Sequence, residues 1–462
     1  MLLEKNKYKV SNIIKNIVLS QQLLVQDSTC QKVIILDGMA VVNALPKDKD
    51  PSFTVKTCED LANLFIRQLV SICNGYDEVR LAFDRYCTNS LKWLTREERK
   101  KGVISTQYRI TDNTIIKDIK LKQLLSDVNT KKDLTAFLAE KCLIYSKTPS
   151  TRMKKFMVTY DTSTKGNIDI PSSLIHHDHE EADTIILLHA STIDSSAHLD
   201  IHASDTDILL QLVNQFTQIP RKTYFLGKSS IPLSIEAAHS LLGVKRSAAI
   251  IGFHVMTGCD ENGKFAGRSK ETCYKKFLEA DDEILNGLAS LGSGEAFPSI
   301  EVWSNLERFI CRLYDSPLAS IKELRWQLYS RKQAEGENLP PTVGALQEHV
   351  KRAHYLAMVY NRSLMSIQDL PPPDKYGWRF CEARYVYEPI MTQVPPAPSA
   401  LINLVKCNCK KGCTKNCSCK KNILSCTEIC GCTDYGCQNP YSLEQNVEGG
   451  KSPTLNLNSI DE

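Results

Sequence analysis

No apolar run in this chain of 462 residues approaches the ~18–20 residues that a membrane-crossing helix requires, so no membrane partner is expected. Charge of one sign is also missing. Lys and Arg number 57 against 53 Asp and Glu, a net +4, and bulk attraction therefore selects no class of partner. The start, MLLEKNKYKVSNIIKNIVLS, spaces Leu and Ile as a helix would but lacks the unbroken apolar core and small-residue cleavage site of a secretory leader. Residues 1–30 are expected to form an N-terminal helical segment. Nine of the 18 cysteines (Cys30, Cys58, Cys73, Cys87, Cys142, Cys259, Cys273, Cys311 and Cys381) show no motif spacing. Without a leader they read as small core residues in a reducing compartment, which places the protein inside the cell. Internal repeats are absent apart from the cysteine spacing. The remaining composition, 42% hydrophobic and 24% charged, is that of globular material large enough for roughly two to four domains.

The other nine cysteines occupy 31 residues, in the pattern C-x-C-x3-C-x3-C-x-C-x6-C-x3-C-x-C-x4-C. They are Cys407, Cys409, Cys413, Cys417, Cys419, Cys426, Cys430, Cys432 and Cys437. An odd number does not close as internal disulfides, whereas C-x-C pairs are well placed to grip one metal. Zinc takes four thiolates in a tetrahedron. Nine sulfurs fill two such sites with one left over, or three sites if three thiolates each bridge two ions. The second arrangement uses every sulfur and is preferred.

Along the rest of the chain, continuous apolar runs alternate with helix-like stretches. KVIIL, EVRLAF, KFMVTY, LDIHAS and KTYFLG read as strands; CEDLANLFIRQLVSI, EEADTIILLHAS and IEAAHSLLG read as helices. Runs that are apolar throughout belong to strands buried on both faces, so the fold class is α/β with a mostly parallel sheet flanked by helices. Residues 103–150 give no clear pattern. A helical extension follows over 300–368, then a Pro-rich linker over 369–406, the small irregular cysteine domain over 407–437 and a disordered tail over 438–462.

Carboxylates recur just past apolar runs: Asp37 in IILDG, Asp84 in LAFDRY, Asp205 and Asp207 in HASDTDILL, and Asp260 in MTGCDENGKF. Glu181 and Asp183 open a helix in HEEADT. One Asp after a strand is usually a helix cap or turn former. Seven in this order point instead to one crevice at the carboxyl ends of parallel strands. Gathered there they repel each other and raise their own pKa values, an arrangement that divalent cations relieve. Oxygen donors suit Mg²⁺ or Mn²⁺, and two such ions support phosphodiester hydrolysis.

This acidic pattern resembles the flap-endonuclease branch of the PIN-like nuclease superfamily over about residues 32–277, within a domain spanning 31–299. The family's acids correspond to Asp37, Asp84, Glu181-Ala182-Asp183, Asp205 with Asp207, and Gly258-Cys259-Asp260, with Asp183 standing where the family usually has Glu. The resemblance implies a two-ion site, one ion on Asp37, Asp84, Glu181 and Asp183 and the other on Asp205, Asp207 and Asp260. It also implies that Lys92 and Arg99, seven residues apart on one helix face, steer the scissile phosphate. A glycine-rich backbone-binding loop corresponds to Gly263, Gly267, Arg268 and Lys270. The cysteine block, CNCKKGCTKNCSCKKNILSCTEICGCTDYGC, is similar to the tesmin-like CXC domain, a DNA-binding module holding three zinc ions on nine cysteines. Family members often carry two repeats, and one is present here. Lys410, Lys411, Lys420 and Tyr435 are the candidate nucleic-acid contacts on it.

Two other motifs are set aside. GCDENGK matches a phosphate loop until Phe265, which stands where Ser or Thr is required. His176, His177 and His179 are expected in a solvent-exposed loop. The leading expectation is a structure-selective, Mg²⁺- or Mn²⁺-dependent nuclease with zinc in its cysteine module. DNA is its expected partner, with RNA as the alternative, and the nucleus its expected location, with the cytoplasm as the alternative. The rival is a catalytically inactive PIN-like scaffold in a DNA- or chromatin-binding protein.

Overall fold

The computed structural model describes residues 30–393, apart from 49–54, 88–89, 101–104, 150, 152, 228–230 and 332–337, and residues 407–439, apart from 411, 422–423, 427–429 and 433–435. The expected N-terminal helix over 1–29, the linker over 394–406 and the tail from 440 lie outside the described residues. The chain divides into two units, 1–392 and 393–462.

Seven strands form the main sheet: β1 (Lys32–Asp37), β2 (Glu78–Ala82), β3 (Phe156–Tyr160), β4 (Ser163–Gly166), β5 (His198–His202), β6 (Lys222–Leu226) and β7 (Leu233–Ser234). Their order is β4-β3-β2-β1-β5-β6-β7. β3, β2, β1, β5 and β6 are mutually parallel, and β4 and β7 pair antiparallel at the edges. From β1 the chain builds outward to β2 and β3 on one side and later to β5 and β6 on the other. The sheet therefore splays at the carboxyl ends of β1 and β5, where ligands bind in open α/β sheets.

The helices are α1 (Gly38–Asn43), α2 (Cys58–Ile72), α3 (Trp93–Lys100), α4 (Val128–Ser146), α5 (Ala182–Ser191), α6 (Thr206–Asn214), α7 (Ile235–Met256), α8 (Lys270–Leu278), α9 (Asp282–Ala289), α10 (Ile300–Leu313), α11 (Ile321–Ser330) and α12 (Val343–Asn361). They bury both faces of the sheet. Ile34 and Leu36 point into a core shared with Val41, Phe65, Leu134 and Leu138. Val33 and Ile35, one residue out of phase, point into the opposite core with Ile185, Leu209 and Phe253. The two-residue side-chain period of a strand thus supplies apolar residues to both layers, which is why β1 reads as an unbroken apolar run. Among the described residues no helix is long and apolar enough to cross a membrane.

Residues 103–150, unreadable by pattern, include α4, started by the Asp127 side chain accepting from the Thr130 N–H. The segment from 300 to 361 packs into the same core as α7, with the Phe253 and Phe309 rings 6.5 Å apart. The expectation of a linker beginning at 369 is corrected. Residues 378–389 form an antiparallel hairpin, β8 (Trp378–Cys381) with β9 (Val386–Pro389). Trp378 is buried against Tyr355, with ring centroids 5.5 Å apart, and Arg352 donates to the carbonyls of Gly377 and Ile390 at 3.2 and 2.5 Å. The prolines stop a helix but leave these aromatics free to dock.

Candidate metal centres and the acidic cleft

Local backbone chemistry places each acid. Asp37 is the last residue of β1 and caps α1, its Oδ1 accepting from the N–H groups of Met39 (2.8 Å) and Ala40 (3.2 Å). Asp84 follows β2, and its Oδ1 accepts from the Ala182 N–H at 2.8 Å, tying the β2 loop to the start of α5. Glu181 is the N-cap of α5 and Asp183 lies in its first turn. Asp205 caps α6, its Oδ1 accepting from the Asp207 N–H at 3.0 Å. The Asp-x-Asp pair is thus presented by the start of a helix, not by a strand end. Asp260 also departs from expectation, because the apolar stretch before it is helix α7, not a strand.

Asp37, Asp84, Glu181, Asp183, Asp205 and Asp260 line one cleft of about 680 Å³. Asp207 lies behind it, fully buried, yet carboxylate oxygens of Asp183, Asp205 and Asp207 come within 4.8 Å of one another. Asp183 therefore groups with Asp205 and Asp207, whereas the expected division placed it with Asp37, Asp84 and Glu181. Burial, then the charges of Asp84 and Asp205, raise Asp37 to about 7. Burial raises Glu181 to about 8, with Glu261, Glu180 and Asp84 adding to the rise and Lys92 opposing it. Burial, followed by Asp205, pushes Asp183 well above the carboxylate range. A set of hard oxygen donors that resist ionisation together is the donor chemistry a divalent cation fits.

Lys92 enters the cleft and contacts Glu181, with Glu261 at 3.5 Å and Asp260 at 4.0 Å. Burial alone would lower its pKa, but the surrounding carboxylates hold it well above the ordinary lysine value. Arg96, one turn along α3, also lines the cleft and lies 3.4 Å from Glu180. The Arg99 side chain lies outside the described residues. Sequence reasoning missed Arg96, Tyr86, Lys122, Lys131, Glu180 and Glu261. Tyr86 sits in the cleft with the Arg96 and Lys131 cations 5.6 and 5.9 Å from its ring centroid. The alternation of acid and base around Asp84 and Lys92 was the available signal for Arg96. Lys131, 32 positions beyond Arg99 and outside every motif, gave none.

Two expected backbone-binding residues are placed otherwise. Lys270 is buried, and its ammonium donates to the carbonyls of His254 (2.6 Å) and Gly258 (2.7 Å), closing the end of α7. Arg268 lies over the Tyr314 ring at 4.6 Å and 3.6 Å from Asp315. The histidine loop is also corrected. His176 is exposed, but His177 and His179 are buried, and the His179 Nε2 sits 2.7 Å from the Met365 carbonyl. Segment 361–368 covers them, a long-range contact that local polarity could not reveal.

In the second unit, cysteine sulfurs approach without disulfide contact. Cys407 lies 3.7 Å from Cys413, 3.9 Å from Cys426 and 3.5 Å from Cys432. Cys413 and Cys426 are 3.5 Å apart, Cys417 and Cys426 3.9 Å, and Cys419 and Cys430 3.7 Å. A zinc tetrahedron with bonds of ~2.3 Å has sulfur–sulfur edges of about 3.8 Å, whereas a disulfide needs about 2.05 Å. The spacing fits metal-bridged thiolates. Lys410 and Lys420 are exposed beside this cluster, and Lys411 and Tyr435 lie outside the described residues.

No protein-family model and no curated protein matches the chain. Among solved structures it is similar to the T5 D15 protein co-crystallised with metal ions, at 10% identity and TM-score 0.35, over 65% of this chain and 95% of that one. It is similar also to the catalytic core of Rad2 in complex with DNA substrate, at 15% identity and TM-score 0.35, over 77% and 87%. A third similar structure is the bacteriophage T5 D15 flap endonuclease with DNA and metal ions, at 10% identity and TM-score 0.33, over 71% and 99%. The chemistry of the cleft rests on its own residues.

Proposed function

We propose that this chain is a divalent-cation-dependent phosphodiesterase that cuts nucleic acid, with DNA the leading substrate, and that its cysteine unit holds three zinc ions. One observation carries the first part. Asp37, Asp84, Glu181, Asp183, Asp205 and Asp260, brought from several elements, converge on a single cleft, and the pKa values of Asp37, Glu181 and Asp183 are raised there despite the neighbouring Lys92. Asp183, Asp205 and Asp207 would hold one ion and Asp37, Asp84, Glu181 and Asp260 the other. Mg²⁺ or Mn²⁺ bound there supplies Lewis acidity and lowers the pKa of water. The chain's own residues supply orientation. Lys92, Arg96, Lys122 and Lys131 line the same cleft as the acids, so a phosphodiester strand entering it meets cations as well as the carboxylates. Tyr86, between Arg96 and Lys131, offers a ring on which a base can stack.

The zinc reading rests on the sulfur geometry. Cys407, Cys409, Cys413 and Cys417 form one close set, and Cys413, Cys426, Cys432 and Cys437 another. Cys419 and Cys430 remain, 3.7 Å apart; Cys419 also lies close to Cys417 and Cys426, and Cys430 to Cys426, so a third site would take these four. Cys413, Cys417 and Cys426 are then the three bridging thiolates. Exposed Lys410 and Lys420 are the described candidates for phosphate contact on this unit.

The test is cleavage of labelled 5′-flap DNA, single-stranded DNA and RNA with Mg²⁺ or Mn²⁺, beside the Asp205→Asn protein. Asn caps a helix as well as Asp does, so the fold survives while an ion ligand is weakened. Metal-dependent cutting lost in the variant supports the enzyme, and the preferred substrate settles DNA against RNA. Cutting that survives Asp205→Asn removes the site assignment. No cutting by the folded, zinc-loaded protein leaves the inactive scaffold.

A further inference from the structure

Asp207 differs from the other acids of the site. Its side chain has no exposed surface, and it reaches the Asp183–Asp205 group from the protein interior. A carboxylate taken wholly out of water costs several kcal/mol unless other groups meet it. Two side chains from distant parts of the chain do so. The Tyr360 hydroxyl, on α12, donates to Asp207 Oδ2 at 3.4 Å, and His254, on α7, places Nε2 3.2 Å from Oδ1. Both residues are themselves buried, and their rings stand 6.4 Å apart.

We infer that Tyr360 and His254 are positioning residues that fix the plane of the Asp207 carboxylate, so that it presents an oxygen to a divalent cation shared with Asp183 and Asp205. The inference rests on the metal-dependent reading above. Each carboxylate oxygen has two lone pairs, so an oxygen facing Tyr360 or His254 keeps one for a metal. The Tyr360 hydrogen bond on Oδ2 and the His254 ring packed against Oδ1, a close contact short of hydrogen-bond geometry, both resist rotation of the plane about the Cβ–Cγ bond. The Asp207 N–H is held by Asp205 Oδ1 at 3.0 Å, so fixing one ligand also steadies the next. The segment carrying α12 is therefore part of the site: it contributes the hydroxyl that holds the deepest ligand.

Mn²⁺ is the probe, because a hard ion prefers the carboxylates over the thiolates. Its binding to the full-length, zinc-loaded chain is followed by electron paramagnetic resonance of free Mn²⁺, with thermal melting of the zinc-loaded chain before Mn²⁺ is added as the control for folding. Tyr360→Phe is expected to raise half-saturating Mn²⁺ by about 10–100-fold and to shift the metal dependence of cleavage in parallel, with the rate recovering at high Mn²⁺. In an Asp207→Asn background the same change should have no further effect on Mn²⁺ binding. His254→Gln carries the same expectation and serves if Phe at 360 prevents folding. Wild-type Mn²⁺ binding in both variants overturns this inference alone, even if their melting temperatures fall. Failure of the unaltered protein to bind Mn²⁺ removes the metal reading and this inference with it.

Discussion

Asp37 at about 7 and Glu181 at about 8 hold protons far more tightly than free carboxyls, mainly through burial. The folded state then binds more protons than the unfolded one between the ordinary carboxylate range and these values, so stability falls as pH rises through that window. Burial lowers His177 and His349 to about 4, and these run the opposite way. They add stability as pH rises from about 4 to the ordinary histidine value near 6.5, and above that value their contribution is complete. Between about 6.5 and 8 the acids are therefore exposed to view. In EDTA the melting temperature should fall across that interval, and Mn²⁺ should remove the fall; a flat profile in EDTA would contradict the charge arrangement. The seven acids were legible because each follows an apolar run or opens a helix. Tyr360 and Tyr86 were not, since nothing local distinguishes a tyrosine in a core from one against a carboxylate.

Helices position the site, and two of them carry predictions. Gly252 of α7 passes so close to α9 that a Cβ would lie 2.0 Å from the Leu288 carbonyl oxygen. Backbone cannot yield as a flexible side chain does, so Gly252→Ala should destabilise by about 1–3 kcal/mol or more, read as a lower denaturation midpoint. On α4, Lys131 lines the cleft beside the Tyr86 ring. Lys131→Ala should weaken substrate binding and reduce the salt slope by about 1 while leaving the rate at saturating substrate nearly unchanged. The parallel strands were visible as continuous apolar runs. α4 was not, because its polar and apolar residues alternate without a face, and its burial comes from α2 and β3 together. The hairpin at 378–389 was hidden by flanking prolines.

For the molecule as a whole, the proposed function assigns a different metal to each of the two units. Native mass spectrometry should count three zinc ions per chain. Cys426 falls in three close sulfur sets and Cys409 in one, so under the three-zinc proposal Cys426→Ser should cost more zinc than Cys409→Ser. Because zinc affinity is folding energy in such small units, a strong zinc chelator should abolish the ordered signals of the cysteine unit and leave the melting of the larger unit in place. Loss of both together would contradict the division of labour.

The sequence by itself determined the α/β class, the nine-sulfur pattern and the order of the acids, because each is written in spacing a few residues long: the strand period, the C-x-C pairs, an Asp that starts a helix. Tertiary structure alone decided which acids meet, that Asp183 joins Asp205 and Asp207, that Lys270 closes a helix end, and that His177 and His179 are buried. It also decided that Tyr360 and His254, 106 positions apart, face the two oxygens of one carboxylate. Those outcomes depend on burial and charge between residues far apart in the chain, which acquire their energies only when folding brings them within a few ångströms.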